Sequence, residues 1–218
     1  QRMAESAHTV APVTLTTETD ATELVQMRTR LKDELSGADE PVPSITDLVV
    51  RLVALALLDH PHLNASLDGE TIRQHASVHI GIAVDTERGL LVPVVRDADR
   101  KSIHTIAAES ARLIDAARRG VSATEDLSGG TFTVTNLGMF EIDAFTPIVN
   151  LPECAILGLG RIVARPVVLD EETESITIRK MMSLSLTFDH RVVDGGPAAR
   201  FLQQCKRTIE RPYVPLTR

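Results

Sequence analysis

The chain has 218 residues, 43% hydrophobic and 24% charged, proportions that exclude intrinsic disorder and fit a folded domain of more than average size. Its 30 acidic and 23 basic side chains give a formal charge of −7, the wrong sign for coating nucleic acid, and five Phe, one Tyr and no Trp leave little for stacking bases. Two cysteines far apart, Cys154 and Cys205, exclude a disulfide framework and favour a reducing compartment. The longest apolar run, Leu52–Leu58, is far short of the roughly 20 residues that cross a bilayer.

Gln1 to His8 reads as a helix already under way, so the chain is expected to be a piece of a longer polypeptide. Residues 12–19 are rich in β-branched side chains and predict a strand. Asp20 with Glu23 predicts a capping box opening a helix, with Leu24, Met27, Leu31 and Leu35 as its apolar stripe and Gly37 as its end. Ser44 with Asp47 marks the next start, and residues 45–59 are apolar on nearly every side, the pattern of a buried helix that His60-Pro61 stops. After a turn at Asp68-Gly69, strands are predicted over 77–84 and 90–95, separated by Asp85 to Gly89. An amphipathic helix follows over 103–119, capped by Ser102 and ended by Gly120. Five strands are then predicted: Thr131–Thr135, Ala155–Gly160, Val163–Leu169, Ile176–Ile178 and Ser183–Phe188. Gly196-Pro197 opens a last helix to about Arg211. No repeat or linker divides the chain, which reads as one α/β domain over 1–218.

The sharpest local feature is Asp189-His190-Arg191-Val192-Val193-Asp194-Gly195-Gly196, between an alternating strand and a helix. A histidine displayed at the rim of a sheet suits proton transfer near neutrality. Asp194, four residues on, can orient the loop or hold Arg191. The plain alternative is a turn whose charged residues stabilise one another while His190 faces water. A second feature is Thr131, Thr133 and Thr135 on one strand face, followed by Asn136-Leu137-Gly138. A hydroxyl at that strand end can donate to an oxyanion, but taken alone the alternation reads as an ordinary solvent-facing strand. His60, His62, His75 and His79 form no metal-ligand motif. Cys154 reads as a buried structural thiol, and Glu171 to Glu174 as a solvated hairpin tip. Neither a nucleophile elbow nor a Gly-rich phosphate loop is present.

Taken together, these stretches resemble the catalytic domain of the dihydrolipoamide acyltransferases, the core components of 2-oxo acid and acetoin dehydrogenase complexes. The resemblance rests on Asp189 to Gly195, Asn64-Ala65-Ser66, Ile80 to Thr86 with Gly89 to Pro93, Gly130 to Gly138, Phe145 to Ile148 and Ala155 to Gly160, in order over nearly the whole chain. It implies a chloramphenicol acetyltransferase-like fold, a mixed sheet flanked by helices, and a homotrimer with the active site between subunits. It implies His190 as catalytic base, Asp194 as the motif aspartate and Thr135 as the hydroxyl that stabilises the tetrahedral intermediate. Ser6, Asp85, Asn136 and Gly160 fall on positions that contact coenzyme A. No metal is implied. A lipoyl group carried on a separate upstream domain, a partner-binding domain, and the 2-oxo acid decarboxylase and dihydrolipoamide dehydrogenase components as partners follow from the same resemblance, as does a bacterial cytoplasmic or mitochondrial matrix location. A non-catalytic scaffold and a chloramphenicol-type O-acetyltransferase are the competing functions. Two departures stand out: Met139 to Ala144 replaces a Gly-containing loop, and Pro212 to Arg218 offers little apolar surface, so assembly is expected to stop at the trimer.

Overall fold

The computed structural model describes residues 2–35 and 41–216. A short helix α1 (Arg2–Thr9) leads into β1 (Pro12–Asp20), α2 (Thr22–Glu34) and α3 (Ile45–Asp59). A small hairpin, β2 (Ala65–Asp68) and β3 (Thr71–Gln74), precedes β4 (Ile80–Ile82), β5 (Val84–Thr86), β6 (Gly89–Leu91) and β7 (Val94–Val95). Then come α4 (Ile103–Arg119), β8 (Phe132–Asn136), β9 (Ala155–Asp170), β10 (Ser175–Asp189), α5 (Gly195–Glu210) and α6 (Tyr213–Leu216).

Six strands form one sheet in the order β1-β10-β9-β8-β4-β7. The pairs β9/β8 and β8/β4 are parallel and the others antiparallel, so the sheet is mixed. Side chains alternate across a strand, and one face carries Phe132, Val134, Leu157, Leu159, Leu184, Leu186 and Phe188 into the main core beneath α2, α3, α4 and α5. The opposite face is rich in hydroxyls: Thr14 pairs with Thr187 at 2.7 Å, and Ser185 and Thr187 are buried. It is covered by α1 and the segment before β9, where Val10, Val149 and Ile156 form a second small cluster.

The predicted helix boundaries hold where a cap is local. Ser44 and Asp47 make the reciprocal box, Ser102 accepts from Thr105 N, and Gly120 closes α4 with φ of 69°. The Asp20–Glu23 box does not form. Asp20 is held in β1 opposite Met181, Ala21 is the N-cap, and the Asp20 carboxylate accepts from Thr22 N at 2.9 Å. Gly37 lies outside the described residues. The strand expected over 77–84 is two pieces, because Pro93 has no N–H for a continuous ladder and β5/β6 separates as its own hairpin. Conversely, the four strands expected over 155–188 are two long ones, β9 of 16 residues and β10 of 15, with the acidic run at their tip.

Candidate active site

His190 sits where β10 ends. Its backbone N–H donates to Ala11 O at 2.9 Å, its ring lies 5.8 Å from Phe188 at 37°, and its side chain is 46% exposed. The turn is built on the buried Asp189 carboxylate, whose Oδ1 accepts from Ala11 N (3.3 Å) and Arg191 N (3.1 Å) while Oδ2 accepts from Arg191 Nη2 at 2.6 Å. Burial works to raise the Asp189 pKa, but the bonds from Arg191 and Ala11 outweigh it and hold the carboxyl below the usual range. Of the two roles open to Asp194, holding Arg191 is not the one seen: Arg191 bonds Asp189 instead, while Asp194 opens α5 as its N-cap and turns outward, 84% exposed. Asp194 Oδ1 stands 4.0 Å from His190 Nδ1.

Thr135 lies two strands away, at the C-terminal end of β8, level with Gly158 of β9 and Ser185 of β10. It is half-buried, and its hydroxyl has no hydrogen-bond partner among the described residues. The solvent-facing reading of the threonine face is overturned: Thr131 and Thr133 are buried, and Thr133 Oγ1 donates to Glu153 Oε2 at 2.5 Å. Asn150 Nδ2 donates to the other Glu153 oxygen at 3.0 Å, which ties the segment before β9 to β8 beneath Thr135. Sequence reading missed Glu153 and Asn150, since nothing local links them to a strand 20 positions earlier. It also missed the anchoring role of Asp189, whose signal was its place between a strand end and an arginine.

Asn136, Gly138 and Gly160 gather beside Thr135. Asn136 Oδ1 accepts from Gly138 N at 2.8 Å and its Nδ2 donates to Thr46 at 3.1 Å, so its amide pins the turn. A Cβ built on Gly160 would fall 1.8 Å from Asp143 O, a packing only glycine allows. Asp85 is exposed on the β5/β6 hairpin, which leaves the sheet at the same edge as Thr135. Ser6 does not belong with them: it is buried in α1, and its hydroxyl donates to Val149 O at 2.6 Å, leaving no surface to meet a ligand.

Register shows how far apart the two reactive groups are in one chain. Thr135 lies opposite Gly158, and Gly158 opposite Ser185, five residues before His190. At about 3.3 Å per residue, that is roughly 17 Å along the strands and two strands across. Cys154 is buried and its thiol is pushed up to about 12 by desolvation, which fits a structural role. Burial also raises Cys205. Among the described residues no cluster of three His, Cys, Asp or Glu is placed to hold a metal, and no helix is long and apolar enough to cross a membrane.

The mixed sheet flanked by helices is similar in fold to chloramphenicol acetyltransferase, whose structure superposes with a TM-score of 0.55 at 13% identity, a likeness of fold alone. The chain belongs to the family of 2-oxoacid dehydrogenases acyltransferase (catalytic domain), whose model matches residues 1–217. It is 42% identical over 214 residues to the lipoamide acyltransferase component of the Pseudomonas putida branched-chain alpha-keto acid dehydrogenase complex, covering 97% of this chain and 50% of that protein. It is also 42% identical over 211 residues to the acetyltransferase component of the Bacillus subtilis acetoin cleaving system, covering 97% and 52%. The Azotobacter vinelandii dihydrolipoamide acetyltransferase superposes with a TM-score of 0.93 at 36% identity, over 99% of this chain and 88% of that one. The chain thus spans about half the length of the curated relatives it matches.

Proposed function

We propose that this chain transfers acyl groups between a dihydrolipoyl thiol and coenzyme A, in a site made by His190 of one copy and Thr135 of another. The observation that carries this reading is the half-exposed imidazole on an anchored turn and, two strands away at the C-terminal end of β8, a hydroxyl without a partner among the described residues, in a chain of the acyltransferase family. A base and an oxyanion donor must each come within about 3 Å of the atoms they serve. The separation along one sheet is too great for that, so a second copy has to supply one of them. A homotrimer meets the need, each copy giving His190 at one interface and Thr135 at the next.

The chemistry follows from the residue types. A free thiol, with a pKa near 8.5, is mostly protonated at neutrality, and the thiolate is the nucleophile. His190 takes the S–H proton as dihydrolipoamide sulfur attacks the carbonyl of acyl-CoA. The carbon–sulfur bond to coenzyme A then breaks, and the proton on His190 passes to the departing sulfur. Thr135 donates to the oxyanion between the two steps, a contact of about 2.7–4 kcal/mol for one such donor. No acyl-enzyme forms, so alignment and one proton are what the protein supplies. In the Azotobacter protein, roles in the catalytic mechanism were investigated for a serine, a histidine and an asparagine; the last two are four positions apart, like His190 and Asp194. An asparagine cannot serve as a base, so Asp194 is read as an orienting group. Asp85, Asn136 and Gly160 lie on the Thr135 edge, where coenzyme A is placed by this reading.

The relatives are about twice as long, and we assign the lipoyl-bearing and partner-binding domains to the remainder. The 2-oxo acid decarboxylase and dihydrolipoamide dehydrogenase are then the partners, in the bacterial cytoplasm. Relatives at 40–42% identity are named for acetyl, succinyl and branched-chain complexes, so a panel of acyl-CoAs identifies the donor. The test is thiol release from acyl-CoA with dihydrolipoamide and chloramphenicol offered in parallel. Turnover is expected with dihydrolipoamide, and His190→Ala is expected to lower it by about 10²–10⁴-fold with the assembly intact by light scattering. Near-normal turnover in that variant defeats the role of His190, and turnover with chloramphenicol alone defeats the lipoyl acceptor.

A further inference from the structure

Two surfaces of this chain are mismatched to water in opposite ways. Pairing with β1 ends at Met181, and beyond it β9 and β10 continue as a two-stranded ribbon to the turn at 170–174. Register sets Ile176 opposite Val168 and Ile178 opposite Pro166 on its exposed side, where both isoleucines are 65% exposed. The other side carries Arg165 and Arg179, paired with Glu18 and Asp20 of the same chain. Aliphatic groups out and charges in is the reverse of a solvated ribbon, and two strands alone are marginally stable in water. The tip itself is acidic, with Asp170, Glu171, Glu172 and Glu174.

The second surface is a groove of about 810 Å³ between α3, α5 and α6. Leu55, Leu58, Val214 and Pro215 supply its apolar lining, while Arg200 and Arg207 of α5 and Arg211, the residue that caps it, line the groove from one side. Among the described residues none of these three arginines has a carboxylate partner. Of the two carboxylates in the groove, Asp59 accepts from Gln204 at 2.8 Å, and Asp99 has one oxygen 3.7 Å from Arg100 and the other buried without a hydrogen-bond partner among the described residues. Positive charge without a carboxylate partner among the described residues, over an apolar floor, is out of keeping with a chain of net charge −7.

We propose that this groove receives the β9–β10 tip of a second copy of the chain. Val168 and Ile176 bring aliphatic surface to its apolar floor, and Glu171, Glu172 and Glu174 bring carboxylates to Arg200, Arg207 and Arg211. No hydrogen bond or ion pair joins tip and groove within one chain among the described residues. Arm and groove are different surfaces, so every copy both gives and receives, and the contact closes a ring where the rotation permits. The inference is independent of the acyl-transfer reading, because it is read from covalent capture and not from turnover.

Chains carrying Glu172→Cys are co-expressed with chains carrying Gln203→Cys and oxidised; Cys154 and Cys205 are buried and do not interfere. A disulfide-linked pair containing one chain of each kind is expected, and none when Glu70→Cys, on the β2/β3 turn, replaces Glu172→Cys. Adding Arg207→Glu and Arg211→Glu should lower the linked fraction roughly tenfold or more, since like charges then meet. Adding Glu171→Arg and Glu174→Arg to the partner chain should restore it. Absence of the mixed pair, or a yield indifferent to charge reversal, overturns the proposal. A loss that the reciprocal reversal fails to restore also overturns it, leaving the groove to some other acidic segment.

Discussion

Asp189 gathers the N–H groups of Ala11 and Arg191 and the Arg191 guanidinium round one buried carboxylate, and the peptide N–H next in line, that of His190, returns to Ala11 O. The end of β10 is thereby clamped to the start of β1 with the imidazole between them. The folded carboxyl titrates below its unfolded value, so it favours the native state above the ordinary Asp range, and that contribution disappears as pH falls through the depressed value. Asp189→Asn should cost about 1–3 kcal/mol at pH 7, where the charged acceptor is lost. Melting curves of the two proteins should converge towards acid pH, and a gap that persists there would mean the carboxylate charge is not the cause. The placement of His190 and Asp194 in a turn between strand and helix was legible because strand, turn and helix signals converge on eight residues. The partner of Arg191 was not: two carboxylates flank it, and only the fold reveals that one is buried at a strand end while the other faces water. Alternation likewise told that Thr131, Thr133 and Thr135 share a face, but not that α1 and the segment before β9 cover it.

Helices whose ends are written in neighbouring residues were readable, as Ser44–Asp47 and Ser102 with Gly120 show. Strands were readable as segments and not as lengths. Arg161 and the Arg179-Lys180 pair look like breaks in β9 and β10, yet they sit at or beyond the edge of the core, where Arg161 bonds Asp143 at 2.7 Å and Arg179 meets Asp20. The same Arg161–Asp143 pair holds the Met139–Ala144 loop against β9, and Gly160 is the point of closest approach. Gly160→Ala would drive a methyl into the Asp143 carbonyl, which is backbone and cannot swing aside. Relief requires the loop to lift away from the Thr135 edge. A stability loss of about 1–3 kcal/mol in denaturant unfolding is expected, together with lower turnover. An unchanged midpoint would show that this loop is free to move.

At the scale of the whole molecule, the governing quantity is the distance from Thr135 to His190 within one sheet, roughly 17 Å along the strands with β9 and β10 to cross. No side-chain rotation closes such a gap, and the rigid ladder between them forbids bending. In the proposed mechanism the two groups serve one carbonyl, which requires the Thr135 edge of one copy to abut the His190 end of another. That arrangement has a consequence that a site within one chain does not share. His190→Ala chains retain a good Thr135, and Thr135→Ala chains retain a good His190, although each protein alone should be slower by about 10²-fold or more. When the two are co-expressed and assemble at random into trimers, about one interface in four pairs an intact histidine with an intact threonine, so activity should return to about a quarter of the unmutated level. Were both groups to act within a single chain, no mixture would contain a complete site, and the co-expressed protein would stay as slow as its parents.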